Sequence, residues 1–287
     1  MNIEQQVISE AKREEVQEKL SVLNVGKESV DSYTWGLDCI DTKITTPKKG
    51  KVIVLVSDEN EGKSTFCYFF ARKNAMKYGH NVIYFNLEQT KDEVINDMAT
   101  QYCGMSKIGI RDNQHLTNVL YLKRKKELET QEDIVFIGRK AENVTTIQEI
   151  KERICDTQMD FLILDNLTCI AGEGMNRNEE VKNITLELIK LSQTLNIPIV
   201  LVHHYKKRMK STMGVYRDVH DMEGSGSLKN LVPMVVQVAR HPDPQNQNEE
   251  DEFYIREGKL RGGAKKESVV VHHDKGEFKK QDYPGFD

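Results

Sequence analysis

Cysteine is sparse in this 287-residue chain, and the five that occur (Cys39, Cys67, Cys103, Cys155 and Cys169) form no CxxC pair and have no partnering histidines. That pattern excludes a disulfide framework, argues against a zinc site and fits reduced cytosolic thiols. Positive charge is not in excess either. The net charge is −4, so any case for nucleic-acid binding has to be local. No stretch approaches 18 apolar residues and the N-terminus mixes acids and bases, so the sequence predicts neither a membrane span nor a signal peptide. What is present, 38% apolar and 30% charged residues, fits a globular chain with a full core, built as one large α/β domain or two small ones.

Apolar positions from Ile3 to Leu23 recur at roughly helical spacing and predict one amphipathic helix or two short ones ending near Gly26. The segment is too thin for a domain and reads as an arm over residues 1–28, docking on a neighbouring subunit or on the core that occupies 29–287. Strands are expected at 52–56, 81–87, 135–137, 161–165 and 197–204, with helices at 63–78, about 91–103, 146–156 and 179–195. Residues 110–133 read as helix and connection, and 242–252 as an acidic turn. Strands without polar alternation, separated by helices, predict a mainly parallel sheet covered on both faces. The later runs VPMVVQVAR, EFYIREGKL and ESVVVHH predict antiparallel additions at one edge.

One lack raises a question. The stretch VIVLVSDENEGKSTF, residues 52–66, runs from an apolar strand into a bend ending in Gly-Lys-Ser-Thr, yet Ser57 stands where a phosphate loop usually opens with glycine. Three carboxylates, Asp58, Glu59 and Glu61, follow. A small residue can still make the turn, and acidic side chains can face solvent while the amides from Asp58 through Asn60, Gly62 and Thr65 face inward. In such a loop backbone N–H groups and the helix N-terminus hold phosphate oxygens, Lys63 reaches the β and γ phosphates, and the Ser64 hydroxyl binds Mg²⁺.

Three further strand tips carry complementary chemistry. FLILD ends in Asp165, where ligands collect in open α/β sheets. NLEQ places Glu88 where it could polarise a water, and LVHH ends in His203 and His204, of which strand alternation lets one face the site. Each taken singly reads as a cap, a loop residue or a packed histidine; together they predict a nucleotide-hydrolysing site.

The order GKST, FNLEQ, LILDN, VLVHHYKKR, DMEGSGSLKNL, VAR and GKLRGGAKK resembles the hexameric replicative DNA helicases of the DnaB and Twinkle type and the gene-4-like helicases of phages, over roughly residues 30–280. The resemblance implies a RecA-like P-loop NTPase core, ATP and Mg²⁺, and nucleotide sites shared between neighbours in a hexameric ring. Departure from a glycine-first loop is tolerated in that family. Carried over by position, Lys63 and Ser64 hold phosphate and metal, Asp165 anchors the metal shell, and Glu88 is the general base. His204 is the γ-phosphate sensor, since VHHY aligns with the family's V-S/T-H-L. Lys259 and Arg261 in KLRGG match the lysine and arginine finger that reach into a neighbour's site. Arg240 matches a residue packing on the nucleotide base.

Single-stranded DNA is the implied macromolecular partner, with a separate primase or polymerase beside it and no membrane. Lys206, Lys207, Arg208, Lys210 and Arg217 form a basic segment with no acid among them, as a phosphate-tracking pore loop requires. Gly224, Ser225 and Gly226 match the central-channel loop, where Glu223 replaces the family's usual arginine. The sequence shows no zinc ribbon, primase-like or collar segment, so the expectation is a minimal helicase working in the cytoplasm, a bacterial host's if the source is a phage. A RecA-like recombinase or recombination mediator, and a non-motor regulatory ATPase, remain the competing expectations.

Overall fold

The structure is a computed structural model that describes residues 3–24, 33–104, 118–138, 145–172, 174–206, 217–241, 245, 251–261, 268–274 and 276–280. In chain order the helices are α1 (Ile3–Val22), α2 (Asp38–Asp41), α3 (Lys63–Arg72), α4 (Lys91–Tyr102), α5 (Val119–Thr130), α6 (Ile147–Ile154), α7 (Arg177–Leu195) and α8 (Ser225–Leu231). One sheet holds nine strands: β1 (Val52–Ser57), β2 (Val82–Asn86), β3 (Ile134–Ile137), β4 (Phe161–Asp165), β5 (Ile199–His204), β6 (Met234–Arg240), β7 (Glu252–Leu260), β8 (Ser268–Asp274) and β9 (Glu277–Lys280). Their order across the sheet is β9-β8-β7-β6-β1-β5-β4-β2-β3. The six from β6 to β3 are parallel, and β7, β8 and β9 are added antiparallel at one edge.

Alternation along each central strand feeds two cores rather than one core and water. Ile53, Leu55, Phe161 and Ile163 face a cluster with Trp35, Phe66 and Phe70, whereas Val54, Val56, Leu162 and Leu164 face one with Ile150, Ile184 and Leu188. Both faces are dry, which is why these strands read as continuous apolar runs.

Helix α1 lies on this second core. It buries Val16 and Leu20 there, and Lys12 bridges to Glu152 at 2.5 Å. The expected 63–78 helix is α-helical to Arg72 and then widens into a π-helical turn, Lys73–Lys77. Part of the 110–133 segment lies outside the described residues; its helix is α5. The acidic turn expected at 242–252 falls mostly outside them. Unforeseen among the described residues were α2 and β9, both four residues long, and a two-residue pairing of Thr145–Thr146 with Ile170–Ala171. The DMEGSGSL segment, expected as a loop, instead enters α8, with Gly224 as its left-handed N-terminal residue.

Candidate active site

Register brings the polar strand tips together. Ser57 at the end of β1 pairs with His204 at the end of β5, and Asn86 at the end of β2 pairs with Asp165 at the end of β4. These C-terminal ends open on a cleft of about 1090 Å³ whose lining includes Gly62, Lys63, Ser64, Thr65, Glu88, Asp165, His204 and Arg240.

The loop between β1 and α3 shows how an acidic sequence can still face a phosphate. Asn60 (φ 64°) and Gly62 (φ 87°) adopt left-handed conformations that turn the chain into α3. At Gly62 a Cβ would stand 2.3 Å from the Phe253 ring, so only glycine fits without displacement. The carboxylates are engaged. Asp58 accepts from Arg217 at 2.6 Å, and Glu61 accepts the Arg240 backbone N–H at 3.0 Å. Glu59 and Asn60 line the cleft, whereas Asp58 and Glu61, both expected to bind nucleotide, do not.

Helix α4 caps itself through Thr90 and Glu93, and α6 through Thr146, but α3 has no side-chain cap. Its first N–H groups therefore point unpaired by the helix into the cleft, where an anion can take them.

The Lys63 ammonium rests on the Asp58 carbonyl at 2.9 Å. Burial pulls its pKa down, against the raising influence of Asp165 and Glu88. Asp165 is buried and accepts from the Tyr84 hydroxyl at 2.8 Å and from Ser64 Oγ at 3.2 Å. Burial raises its pKa although both donors and Lys63 oppose the rise. A Ser hydroxyl beside one carboxylate suits Mg²⁺, which takes few protein oxygens and fills its remaining positions with water and phosphate. The described residues hold no group of three His, Cys, Asp or Glu side chains able to cage a metal.

Glu88 is presented by a turn in which Asn86 Oδ1 accepts the Glu88 and Gln89 N–H groups, both at 2.8 Å. The His204 ring, 3.9 Å away, holds the Glu88 carboxyl below its ordinary pKa against partial burial. A carboxylate kept ionised at a cleft mouth can accept a proton from water. The neighbouring His203 faces the other way. It is fully buried, lies 2.7 Å from the Glu223 carbonyl, and burial lowers its pKa to about 4.

Residues assigned to a neighbour's site lie outside this cleft. Lys259 reaches the carbonyls of Lys229 and Val232 at the end of α8, and Arg261 reaches those of Asn230 and Leu231. Lys206 is exposed; Arg217, the far member of the basic segment, is spent on Asp58 and lies over the Tyr205 ring at 4.7 Å. Lys207, Arg208 and Lys210 lie outside the described residues, as do the side chains of Ser225 and Gly226. Gly224 is buried against Val181, 2.9 Å from where a Cβ would stand. The Glu223 carboxylate is 3.7 Å from Arg177. Sequence reasoning missed Tyr84, Asn86 and Asn166. Only Asn86 carried a local signal, a turn-forming residue two positions before the acid of NLEQ.

The sequence pattern of the DnaB-like helicase C terminal domain family matches residues 33–280. A probable replicative DNA helicase of Trieres chinensis is 21% identical over 255 residues, covering 86% of this chain and 53% of its own length. The replicative DNA helicase DnaB of Haemophilus influenzae is 22% identical over 258 residues, covering 86% and 55%. The chain thus spans about half the length of these curated relatives. Among solved structures, an ATPase domain superposes with TM-score 0.73 at 14% identity, covering 98% of this chain and 99% of that one. A DnaB-like replicative helicase described with its primase interactions gives 0.72 at 14% identity, covering 98% and 67%. The fold is the RecA-like helicase ATPase fold, and the chain belongs to the DnaB-like helicase C terminal domain family.

Proposed function

We propose that the chain is the motor of a replicative DNA helicase, hydrolysing ATP with Mg²⁺ at this cleft to move on single-stranded DNA. The observation that carries the reading is the convergence of Lys63, Ser64, Glu88, Asp165 and His204 on one cleft at the C-terminal strand ends. Lys63 and the uncapped start of α3 hold phosphate oxygens. Ser64 and Asp165 hold the metal, which when bound neutralises phosphate charge. Glu88 orients and deprotonates the attacking water, and Arg240 borders the nucleoside end. Lys259 and Arg261, absent from their own cleft, act on a neighbour's, which makes a closed ring of copies, six by the family's habit, the working form. Lys206 with Lys207, Arg208 and Lys210 tracks the DNA backbone, with the 224–226 turn beside it. A separate primase or polymerase is the expected companion. The described residues contain no helix long and apolar enough to cross a membrane.

The test is ATP hydrolysis with and without single-stranded DNA, run beside strand displacement on a forked substrate. The expected result is DNA-stimulated hydrolysis with displacement. Glu88→Gln should bind ATP yet turn over at least about a hundredfold more slowly, as loss of a general base requires. Hydrolysis without displacement would favour a regulatory ATPase, and filaments on DNA in place of rings would favour a recombinase.

A further inference from the structure

Asn166, directly after the metal-anchoring Asp165, is fully buried, and the reaction outlined above leaves it without a task. Its side chain uses every hydrogen-bonding position it has. Oδ1 accepts the Thr168 backbone N–H at 2.9 Å and the Thr168 hydroxyl. Nδ2 meets Glu88 Oε1 and, at 2.8 Å, His204 Nε2. A backbone N–H can only donate, so the Thr168 contact fixes which end of the amide is oxygen. Flipping the amide would set donor against donor at Thr168 and oxygen against oxygen at Glu88.

The orientation has a consequence for His204. Nδ2 can only donate, so His204 Nε2 must offer a lone pair and the ring proton must sit on Nδ1. Two features favour the other tautomer, since His204 Nδ1 is buried without a hydrogen-bond partner and the Glu88 carboxylate lies 3.9 Å from Nε2, so among the described residues the Asn166 amide is the one contact that calls for the proton on Nδ1. One amide thus grips the carboxylate and the histidine together, spanning elements 78 and 38 residues away in sequence.

We propose that Asn166 is a positioning residue that clamps Glu88 and His204 at the cleft mouth and holds His204 in its Nδ1-protonated tautomer. A purely structural role is the alternative. The Oδ1 contact with Thr168 begins the short 3-10 turn Leu167–Cys169, and Ser or Asp would start that turn as well. The two Nδ2 protons are what asparagine alone adds, and both go to residues of the proposed reaction.

The inference rests on the nucleotide-hydrolysing reading, and the experiment separates the two. Asn166→Ser and Asn166→Asp keep an oxygen for the turn and lose the two Nδ2 protons, serine leaving one O–H and an ionised aspartate none; thermal melting confirms that each folds. In each, kcat for ATP should fall on the order of a hundredfold, the scale of a misplaced reacting group, with KM little changed. Nitrogen-15 NMR of the His204 ring reads the clamp without any turnover: Nε2 unprotonated in the unsubstituted protein, and protonated in Asn166→Ser. Unchanged kcat in both variants, or a protonated Nε2 in the unsubstituted protein, overturns the proposal. A rise in KM with kcat retained overturns it as well, since that marks a binding or structural role. An unsubstituted protein that hydrolyses no nucleotide overturns the parent reading instead, and the tautomer measurement then decides the clamp alone.

Discussion

Replacing Gly62 with alanine tests the geometry of the loop most directly. The added Cβ would stand 2.3 Å from Cε1 and 2.7 Å from Cζ of Phe253, at a backbone φ of 87°. Two costs arise. The left-handed conformation costs an L-residue about 1–2 kcal/mol, and overpacking against a fixed ring costs about 1–3 kcal/mol more. Phe253 cannot retreat easily: it is fully buried and packs on Phe278 at 4.9 Å and His273 at 5.8 Å. Gly79 supplies the control. Its φ is 67° and nothing lies within 4 Å of where a Cβ would stand, so Gly79→Ala carries the dihedral cost alone. Urea unfolding should place Gly62→Ala about 2–5 kcal/mol below the unsubstituted protein and Gly79→Ala about 1–2 kcal/mol below it. Should the loop move aside instead of the ring, the stability loss shrinks and nucleotide affinity falls tenfold for each 1.4 kcal/mol diverted. A Gly62→Ala protein that unfolds like Gly79→Ala and binds nucleotide like the unsubstituted chain would refute the packing argument.

Three further outcomes follow from the site. Lys63→Ala removes the ammonium that now rests on the Asp58 carbonyl; with charge-assisted bonds worth about 1.5–3 kcal/mol each, ATP affinity by equilibrium titration should fall at least about tenfold. Arg261→Ala should bind ATP normally yet lose hydrolysis on the order of a thousandfold, because its side chain lies outside its own cleft; full DNA-stimulated hydrolysis would exclude the finger. His203 has a folded pKa of about 4 against 6.5 unfolded, so the unfolded chain binds the proton more tightly, and its contribution to stability is complete above about pH 6.5 and lost as pH falls toward 4. At pH 5 that loss is about 2 kcal/mol, and His203→Thr should reduce the difference in unfolding free energy between pH 7 and pH 5, read from urea unfolding, by that amount.

The parallel part of the fold was legible because burial on both faces forces continuous apolar strands, and FLILD or IPIVLVHH cannot be mistaken for half-exposed ones. The strand tips were legible for a related reason: a polar residue ending such a run has to leave the core where the sheet ends. Partners across the chain left no such trace. Asp58 meets Arg217 from 159 positions away, and Glu61 meets the Arg240 backbone from 179 away. These contacts explain how a loop with three acids can face a phosphate, and no local pattern announces them. The DMEGSGSL segment misled for a physical reason too. Two glycines read as loop, yet Gly224 serves as the left-handed start of α8 and as a close-packing point on Val181.

Strand β7 ties the proposed ring to the nucleotide loop. Phe253 near its start supports Gly62 and carries the Arg240 guanidinium over its ring at 4.6 Å. Lys259 near its end and Arg261 just beyond it rest on the carbonyls that close α8. At ~3.3 Å per residue, the six steps from Phe253 to Lys259 span roughly 20 Å, too far for one side chain to serve both ends. An arginine at 261 is therefore badly placed for its own cleft and free for another. The strand is paired with β6 along its length and with β8 over residues 252–256, and a bulge at Gly258 separates the two ends. On the proposed reading, a neighbour's phosphate that draws Lys259 and Arg261 outward takes them from the α8 carbonyls.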